Sequence, residues 1–276
     1  MASLAALKER GRLEVVVVNY SGKDIRTEVE NHFPNQPVFD VPAEYTLAQA
    51  QHAGVERTSG SVVAILNERY AVTDKWLSAL EESHRDGAGV VTGVVAPAPS
   101  LTSAEWAMYF CEYAHVAPPL SEGTLDWLRA AGRPYGNISY ERRVLDQFPR
   151  LSTMGHFDLR RRLFDATRFV GRNDMRAEFA YPYSMHEYLV ERRQVSRDFA
   201  IARAQGMSSG ARVAAALSRT LLPPVLAVRT MQRVFRNAGL TGKLVAAFPW
   251  IIGFGFVQTI AEMKGFISNE PVTKQS

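Results

Sequence analysis

A chain of 276 residues is long enough for one large domain with an appendage, and its 46% hydrophobic and 22% charged residues are ordinary for a globular protein. The single cysteine, Cys111, excludes an intramolecular disulfide, and the charged start "MASLAALKERGRLE" lacks the apolar core of an export signal. The formal net charge of +4 is modest, but no acidic residue occurs between Asp198 and Glu262, an interval rich in arginine. This asymmetry predicts an anionic partner or a membrane surface.

Residues 13–95 alternate strand and helix patterns. Four apolar, β-branched runs predict strands: "LEVVVV" (13–18), "PVFDV" (37–41), "SVVAIL" (61–66) and "GVVTGVV" (89–95). The segments between them predict helices over 24–33, 46–60 and 74–87. Repeated βα units of this length predict an open α/β sheet, mainly parallel, with helices on both faces.

Ligands of such sheets bind at the carboxyl ends of the strands. Those ends carry Asn19-Tyr20-Ser21 and Asn67-Glu68-Arg69, so we expect Asn19 and Glu68 at neighbouring strand ends. Trp76 opens the next helix, and we expect it to pack in the core rather than to line a ligand site.

Residues 96–166 are less regular. A Pro-bounded aromatic stretch, "APAPSLTSAEWAMYFCEYAHVAPPLSEG", follows the last predicted strand. The pattern of 136–148, "GNISYERRVLDQF", predicts a turn that leads into a helix. Residues 155–166, "GHFDLRRRLFDA", predict a helix with Leu159 and Leu163 among its core contacts.

The last seventy residues differ in character. The segment 211–237 places arginines at helical spacings among aliphatic residues, and Pro223-Pro224 is expected to kink or split it. The apolar run 244–261 is marginal for a full span and suits a re-entrant or interfacial helix, with a buried core helix as the alternative. Lys243 and Lys264 bracket this run, which favours a short hairpin or an in-plane helix on an anionic membrane.

Together these segments resemble the family 2 glycosyltransferases of the GT-A fold, in particular bacterial members with a membrane-associated C-terminus. "LEVVVVNYSGKD" is similar to the family's second strand and loop, usually Val-Val-Asp-Asp-x-Ser-x-Asp. "AQAQHAGVERTSGSVVAILNERYAVTDKWLSAL" resembles the segment that carries the family's paired acids and a tryptophan. The stretch from "EWAMYF" to "GNISYERRVL" resembles the acceptor side, and "FPWIIGFGFVQTIAEMKGFI" resembles the apolar C-terminal helix.

The resemblance implies a GT-A-like, Rossmann-like domain over residues 1–205, in which the family's first strand has no counterpart, and membrane-associated helices over 206–276. It implies transfer of a sugar, with inversion, from a UDP- or GDP-sugar to a lipid-linked or membrane-proximal acceptor in cell-envelope or polysaccharide synthesis. The implied location is the cytoplasmic face of the bacterial inner membrane, in contact with anionic lipids. Nucleic acid is not an expected partner, because the basic residues lie among apolar helices.

Matching positions imply the binding residues. The donor nucleotide would be bound by Asn19, which replaces a family Asp, and by Ser21, Asp24, Asn67 and Arg69. The acceptor side would include Glu112, Tyr113 and Asn137, although packing is the alternative for Tyr113.

The implied cofactor is Mg²⁺ or Mn²⁺, because a nucleoside diphosphate leaving group carries charge that a divalent cation neutralises. Glu68 and His186 are the expected ligands, and Asn67 offers a neutral oxygen where the family has a second acid. The alternative for Glu68 is a solvated acid paired with Arg69.

The implied catalytic base lies at the start of the predicted helix 155–166. His156 occupies the position of the family's catalytic Glu, and Asp158 lies two residues further on. On a helix these side chains point in different directions, so only one of them faces a site. The alternative for His156 is a helix-terminal residue without a chemical role.

Two classes of function remain open. One is an active glycosyltransferase, which the retained Glu68 and His186 favour. The other is a catalytically degenerate GT-A-like membrane protein that serves as a non-enzymatic partner or scaffold, which the altered residues Asn19, Asn67 and His156 favour. No motif predicts a Ser-His-Asp hydrolase, a zinc site or a P-loop.

Overall fold

The computed structural model describes residues 3–5, 13–42, 44–45, 47–133, 136–148, 156–204, 206–235 and 238–268. The chain divides into two compact units. We call them the α/β unit, which comprises Met1–Ala98 and Val116–Tyr181, and the helical unit, which comprises Pro99–His115 and Pro182–Gln275. The sequence predicted a boundary at residue 205, whereas the C-terminal part of the helical unit begins at Pro182.

The α/β unit opens with two parallel strands. Strand β1 (Val17–Asn19) is followed by α1 (Arg26–His32), β2 (Val38–Asp40) and α2 (Leu47–Val55). The register pairs Val17 with Val38 and Asn19 with Asp40, so both strands end in a polar residue at one edge. This two-stranded sheet is separate from the larger sheet of the unit.

The larger sheet contains six strands: β3 (Val62–Leu66), β4 (Tyr70–Val72), β5 (Val90–Pro97), β6 (Gly123–Thr124), β7 (Asn137–Glu141) and β8 (Phe169–Phe179). Their order is β3-β7-β5-β8-β4, and β6 also pairs with β8. Within this sheet β5 and β8 are parallel, and the other pairs are antiparallel.

The expected α/β class is therefore observed, but the larger sheet is mixed rather than mainly parallel. Strands buried on both faces are continuously apolar whichever direction they run, so the run "GVVTGVV" predicts burial and not direction. Asn19 and Glu68 do not follow neighbouring strands, because the described partner of β1 is β2 and that of β3 is β7.

Two segments after residue 130 differ from the sequence-based expectation. The predicted turn and helix over 136–148 are strand β7 and then a short helix, α6 (Arg142–Leu145), because Ile138 and Tyr140 pack in the core. We number α3 (Trp76–Arg85), α4 (Ser103–Tyr113), α5 (Trp127–Ala131) and α7 (His156–Ala166) in chain order around it. The second difference is the long strand β8, which follows α7 and which the sequence pattern did not predict.

Helices cover both faces of the six-stranded sheet, as predicted. On one face Trp76 and Leu80 of α3 pack with Val91 and Met175. On the other face Leu163 of α7 packs with the strand residues that point the opposite way, such as Val90 and Phe169. The predicted packing role of Trp76 is confirmed, since this side chain is 1% exposed.

The helical unit contains α4 and four later helices: α8 (Met185–Ala204), α9 (Ser209–Ser218), α10 (Leu222–Val234) and α11 (Thr241–Ile267). Helix α4 begins with a capping box, in which Thr102 and Glu105 satisfy each other's backbone N–H groups. A 3₁₀ turn, Arg219–Leu221, separates α9 from α10, where Pro223 and Pro224 occupy the first turn. The predicted split at the two prolines is thus observed.

Residues 209–234, which we call the first arm, run antiparallel to α11 and form a helical hairpin with it. The Thr259 hydroxyl donates to the carbonyl oxygen of Arg219 (3.3 Å). One turn away, Gly255 lies so close to Pro223 that a Cβ at this glycine would be 3.1 Å from the proline Cα. Near the open end, Arg212 donates to the carbonyl oxygen of Ser268 (3.5 Å).

Candidate functional site

The carboxyl end of β1 forms a compact polar turn. The Asn19 side chain is 6% exposed, and its Nδ2 donates to the carbonyl oxygen of Lys23 (2.7 Å) and to Oδ1 of Asp40 (2.8 Å). Its Oδ1 accepts from the backbone N–H (3.1 Å) and the hydroxyl (2.7 Å) of Ser21. Every polar group of Asn19 is therefore engaged, and the side chain fixes the loop and the carboxylate of Asp40.

Asp40 is a site residue that the sequence analysis missed. It is the last residue of β2 and lies directly beside Asn19 in the parallel register. Arg26 of α1 donates to its second carboxylate oxygen and to Asp24 (3.2 Å). The hydrogen bond from Asn19, followed by that from Arg26, lowers the pKa of Asp40. The signal was present in "PVFDV", where an acid ends a predicted strand of a βα unit.

The second group of predicted donor residues lies in the tight turn between β3 and β4. Asn67 accepts a hydrogen bond from the backbone N–H of Arg69 at its side-chain oxygen (2.8 Å), and its own N–H donates to the carbonyl oxygen of Gly136 (3.0 Å). Glu68 lies at the tip, with a side chain 63% exposed and a carboxylate oxygen 3.4 Å from Nε of Arg69. The carboxylate thus faces solvent beside a cation.

The two expected metal ligands belong to different units of the chain. Within the part of the chain that the structure describes, no three His, Cys, Asp or Glu residues stand together as metal ligands would. Glu68 belongs to the α/β unit and the exposed His186 to the helical unit. A single exposed carboxylate still fits a Mg²⁺ or Mn²⁺ ion that arrives with phosphate oxygens, because such ions use one or two carboxylates plus substrate phosphates.

Asn137, predicted on the acceptor side, lies in the core of the sheet. Its exposure is 0%, and its Oδ1 accepts from the indole N–H of Trp76 (2.8 Å). Its Nδ2 donates to the carbonyl oxygens of Val94 (2.9 Å) and Met175 (3.0 Å). The side chain therefore ties α3 to the middle of the sheet and has no N–H left for a ligand.

The other two acceptor-side residues belong to the helical unit. The carboxylate of Glu112 accepts hydrogen bonds from Arg192 and from the hydroxyl of Tyr188 (3.2 Å). Tyr113 packs on Tyr109, with ring centroids 5.9 Å apart, as its packing alternative predicts. Glu112 is thus part of an ion-paired cluster between helices α4 and α8.

The two base candidates lie on the first turn of α7, whose backbone the structure describes. The side chains of His156 and Asp158 lie outside the described residues. Their predicted roles therefore rest on the sequence alone.

The helical unit carries the apolar segments that the sequence associates with a membrane. Among the described residues, two helical segments, Ser209–Val234 and Thr241–Ile267, are long and apolar enough to cross a membrane by length and composition. From the sequence we also expect the arginines of 212–236 to face anionic lipid headgroups. Two of them bond inside the unit. Arg212 donates to the carbonyl oxygens of Ala204 and Ser268, and Arg219 lies 3.5 Å from the buried Glu262, because these cations satisfy polar groups inside the unit.

Comparison with known proteins adds no family assignment. Neither a scan against protein-family models nor a search of curated proteins finds a match.

Proposed function

We propose that this protein is a glycosyltransferase that moves a sugar from a UDP- or GDP-sugar to a lipid-linked or membrane-proximal acceptor at the cytoplasmic face of the bacterial inner membrane. The observation that carries the proposal is the Asn19–Asp40 pair, which stands at the carboxyl ends of two adjacent parallel strands. Ligands of open α/β sheets bind at such ends.

In the proposed site, Asp40 contacts the nucleoside and Asn19 positions it. An ionised carboxylate has about four acceptor positions, and Asp40 receives hydrogen bonds from Asn19 and Arg26. Its remaining acceptor positions suit ribose hydroxyls or a base N–H group. Because its pKa is lowered, Asp40 stays ionised at neutral pH. Ser21 and Asp24, both exposed in the loop after β1, supply further polar groups.

The turn after β3 supplies the groups for the diphosphate in this proposal. Arg69 brings a guanidinium, which suits phosphate oxygens, and Glu68 supplies one oxygen ligand to Mg²⁺ or Mn²⁺. When bound, the cation would neutralise the charge that develops on the diphosphate leaving group. The proposed roles of His186 as a second ligand, and of His156 or Asp158 as the base, rest on the sequence.

The test is calorimetric titration of the full chain in mild detergent with UDP and with GDP, each with and without MnCl₂. We expect one of the two nucleotides to bind, and Asp40→Asn to weaken its affinity by about tenfold or more, since hydrogen bonds to a charged group contribute about 1.5–3 kcal/mol. Glu56→Gln, at an exposed acid just after α2, is the matched control and should bind as the wild type does. Equal affinities of Asp40→Asn and the wild type would remove β2 from the site.

One observation favours the second candidate, a catalytically degenerate partner protein. Glu68 is paired with Arg69, and no second acid joins it in a metal-ligand group among the described residues. If the full chain binds neither nucleotide with or without manganese, the transferase proposal fails and this second function takes its place.

A further inference from the structure

The helical hairpin exposes a continuous apolar stripe along both of its helices. On the first arm the exposed residues recur every three or four positions, which is the spacing of one helix face. On α11 the exposed residues Val245, Phe256, Ile260 and Ile267 lie within about 60° of one another at roughly 100° per residue, and Val245 has an exposure of 71%. The exposed Phe248 and Trp250 lie to either side of this line. We define the hairpin stripe as Val213, Leu217, Leu221, Val225, Val228, Val245, Phe256, Ile260 and Ile267.

The exposed charges of the hairpin are all cations in the described residues. Arg229 and Arg233 are exposed towards the end of the first arm, and Lys243 and Lys264 are exposed towards the two ends of α11. No acidic residue occurs from residue 199 to 261. An apolar stripe bordered by cations and free of acids is complementary to a leaflet that contains anionic lipids.

Helix α8 determines how α11 meets such a leaflet. The two helices run parallel: the ring of Tyr188 lies 4.7 Å from that of Phe254, and Arg192 donates to the side-chain oxygen of Gln258 one turn later (2.7 Å). These contacts lie at the middle of α11. At the same level α8 carries three exposed charged residues, Glu187, Glu191 and Arg193, beside the exposed Val190.

A spanning orientation of α11 would therefore place three charged side chains of α8 near the bilayer centre, where such groups are strongly disfavoured. At about 100° per residue, the stripe residues of α11 lie roughly opposite the residues that contact α8. An in-plane orientation puts the stripe in the acyl region and leaves these charged side chains in water.

We propose that the hairpin stripe is a membrane surface that lies flat in a single leaflet of an anionic bilayer, with the axes of α10 and α11 parallel to the membrane plane. The occupant of the stripe is the acyl region just below the headgroups. Interfacial helices of this kind bury their apolar face by about 5–10 Å. Arg229, Arg233 and Lys264 then reach lipid phosphates from the borders of the stripe.

The decisive experiment measures the depth of spin labels along α11. The sequence contains one cysteine, Cys111, which Cys111→Ala removes; burial raises its pKa to about 11, so it is also a poor nucleophile. Single cysteines replace Val245, Phe256, Ile260 or Ile267 in the full chain, and depth is read from oxygen and nickel-chelate collisions on vesicles of phosphatidylglycerol and phosphatidylcholine. Val190→Cys on the outward side of α8 and Ser78→Cys on α3 are the water-exposed controls.

We expect the four stripe labels to lie at one common depth and both control labels to remain in water. A depth that changes steadily along α11, by up to about 33 Å between residues 245 and 267 at 1.5 Å per residue, would mean that the helix spans the bilayer and would overturn the proposal. Stripe labels that stay in water on vesicles would overturn it too. A third outcome would also overturn it: in the absence of lipid the stripe labels are protected from the collision reagents, and the protein has the mass of a dimer. A second copy of the chain would then cover the stripe.

The charge part of the proposal has its own measurement. Arg229→Gln with Arg233→Gln should weaken partitioning to anionic vesicles by roughly 30-fold and leave partitioning to neutral vesicles unchanged, since each basic residue near the surface contributes about 1 kcal/mol. Equal losses on both vesicles would overturn the role of lipid charge. This inference rests on the membrane association proposed above. Nucleotide titration of the same variants in detergent distinguishes a failure of the membrane surface from a failure of the proposed transfer reaction.

Discussion

Side chains are distributed differently in the α/β unit and the helical unit. In the α/β unit, the buried polar groups Asn137 and His84 bond to backbone carbonyls and to neighbouring neutral side chains, and the large exposed apolar residues described are Leu47, Leu128 and Tyr181. The other large exposed apolar residues described belong to the helical unit. That unit contains acid–cation pairs, in which Arg192 meets Glu112 and the buried Glu262 lies beside Arg219. The buried arginines of the α/β unit, Arg133 and Arg160, donate instead to backbone carbonyls. The exposed apolar residues of the helical unit include those on which the proposed membrane surface rests.

The largest loss of stability is expected from a substitution in the α/β core at a position with no space for an added side chain. A Cβ at Gly93 would overlap the carbonyl oxygen of Met175 and the side-chain amide of Asn137, at the point where the register of β5 on β8 shifts. Because Asn137 and the strand backbone hold each other in place, Gly93→Ala should lower the free energy of unfolding by about 3 kcal/mol or more. Urea denaturation followed by near-UV circular dichroism gives this value.

The matched control is a glycine of the helical unit. Gly253 lies in the interior of α11, and a Cβ there would meet nothing within 4 Å. Gly253→Ala should therefore leave stability unchanged or raise it by up to about 1 kcal/mol, since alanine is the better helix former. If Gly93→Ala is as mild as this control, the tight contact of β5 with Asn137 is not a determinant of the core.

The next effect concerns the charged interior of the helical unit. Arg192 donates to Glu112 of α4 and to Gln258 of α11, so Arg192→Met leaves a partly buried carboxylate without its cation. Because the Glu112 side chain is 37% exposed, water screens its charge and the cost is smaller than for a fully buried pair. We expect the free energy of unfolding to fall by about 1–3 kcal/mol, measured by thermal or urea denaturation.

A double variant tests the cause of that loss. Glu112→Gln together with Arg192→Met should be less destabilised than the sum of the two single variants, because no uncompensated charge remains. Strictly additive losses would mean that the two side chains act through packing and not through their charges.

Hydrophobic periodicity in the sequence predicts where several strands and helices lie. It does not predict which strands pair or in which direction they run. The strand over 61–66 is observed as Val62–Leu66, and the helix over 155–166 as His156–Ala166. Strand direction was mispredicted, because a strand covered on both faces is equally apolar in a parallel or an antiparallel pair. Strand β8 was missed, although Met175 to Phe179 alternate between buried and half-buried residues with the period of a strand.

The candidate site was predictable to a similar extent. Asn19 and Ser21 do come together at a strand end, because the chain must turn there and polar side chains satisfy the turn. Asp40 was missed because its relation to Asn19 depends on the register of two strands about twenty residues apart. Asn137 was misjudged because a polar residue between apolar neighbours gives no sign of whether its partners are ligands or backbone carbonyls.

A smaller effect is expected from the neutral histidine of the α/β core. His84 is buried, donates from Nδ1 to the carbonyl oxygen of Ala88 (2.7 Å), and accepts at Nε2 from the hydroxyl of Ser139 (2.9 Å). Burial lowers the pKa of His84. As the pH falls below about 6.5, the unfolded chain takes up a proton before the folded chain does, so stability should fall by up to about 1.4 kcal/mol per pH unit. This contribution is fully present above pH 6.5.

Urea unfolding between pH 5 and pH 8 measures the effect. His84→Asn should flatten the slope below pH 6.5, whereas His32→Gln, at an exposed histidine of α1, should leave that part of the slope in place. An unchanged slope in His84→Asn would assign the pH dependence to other groups.

The smallest effect on stability is expected at the tip of the turn between β3 and β4. The exposed carboxylate of Glu68 and Nε of Arg69 are 3.4 Å apart, and solvent screening leaves such a surface pair worth less than about 1 kcal/mol. Glu68→Gln keeps the size of the side chain, so its urea midpoint should match that of the wild type within error. Its affinity for UDP or GDP in the presence of manganese should nevertheless fall, if Glu68 supplies an oxygen ligand to the cation. With an unchanged urea midpoint, a loss of affinity in this variant would be a loss of metal or nucleotide binding and not a loss of folding. Unchanged affinity with manganese would make Glu68 a solvated turn residue, and a large loss of stability would show that the pair holds the turn.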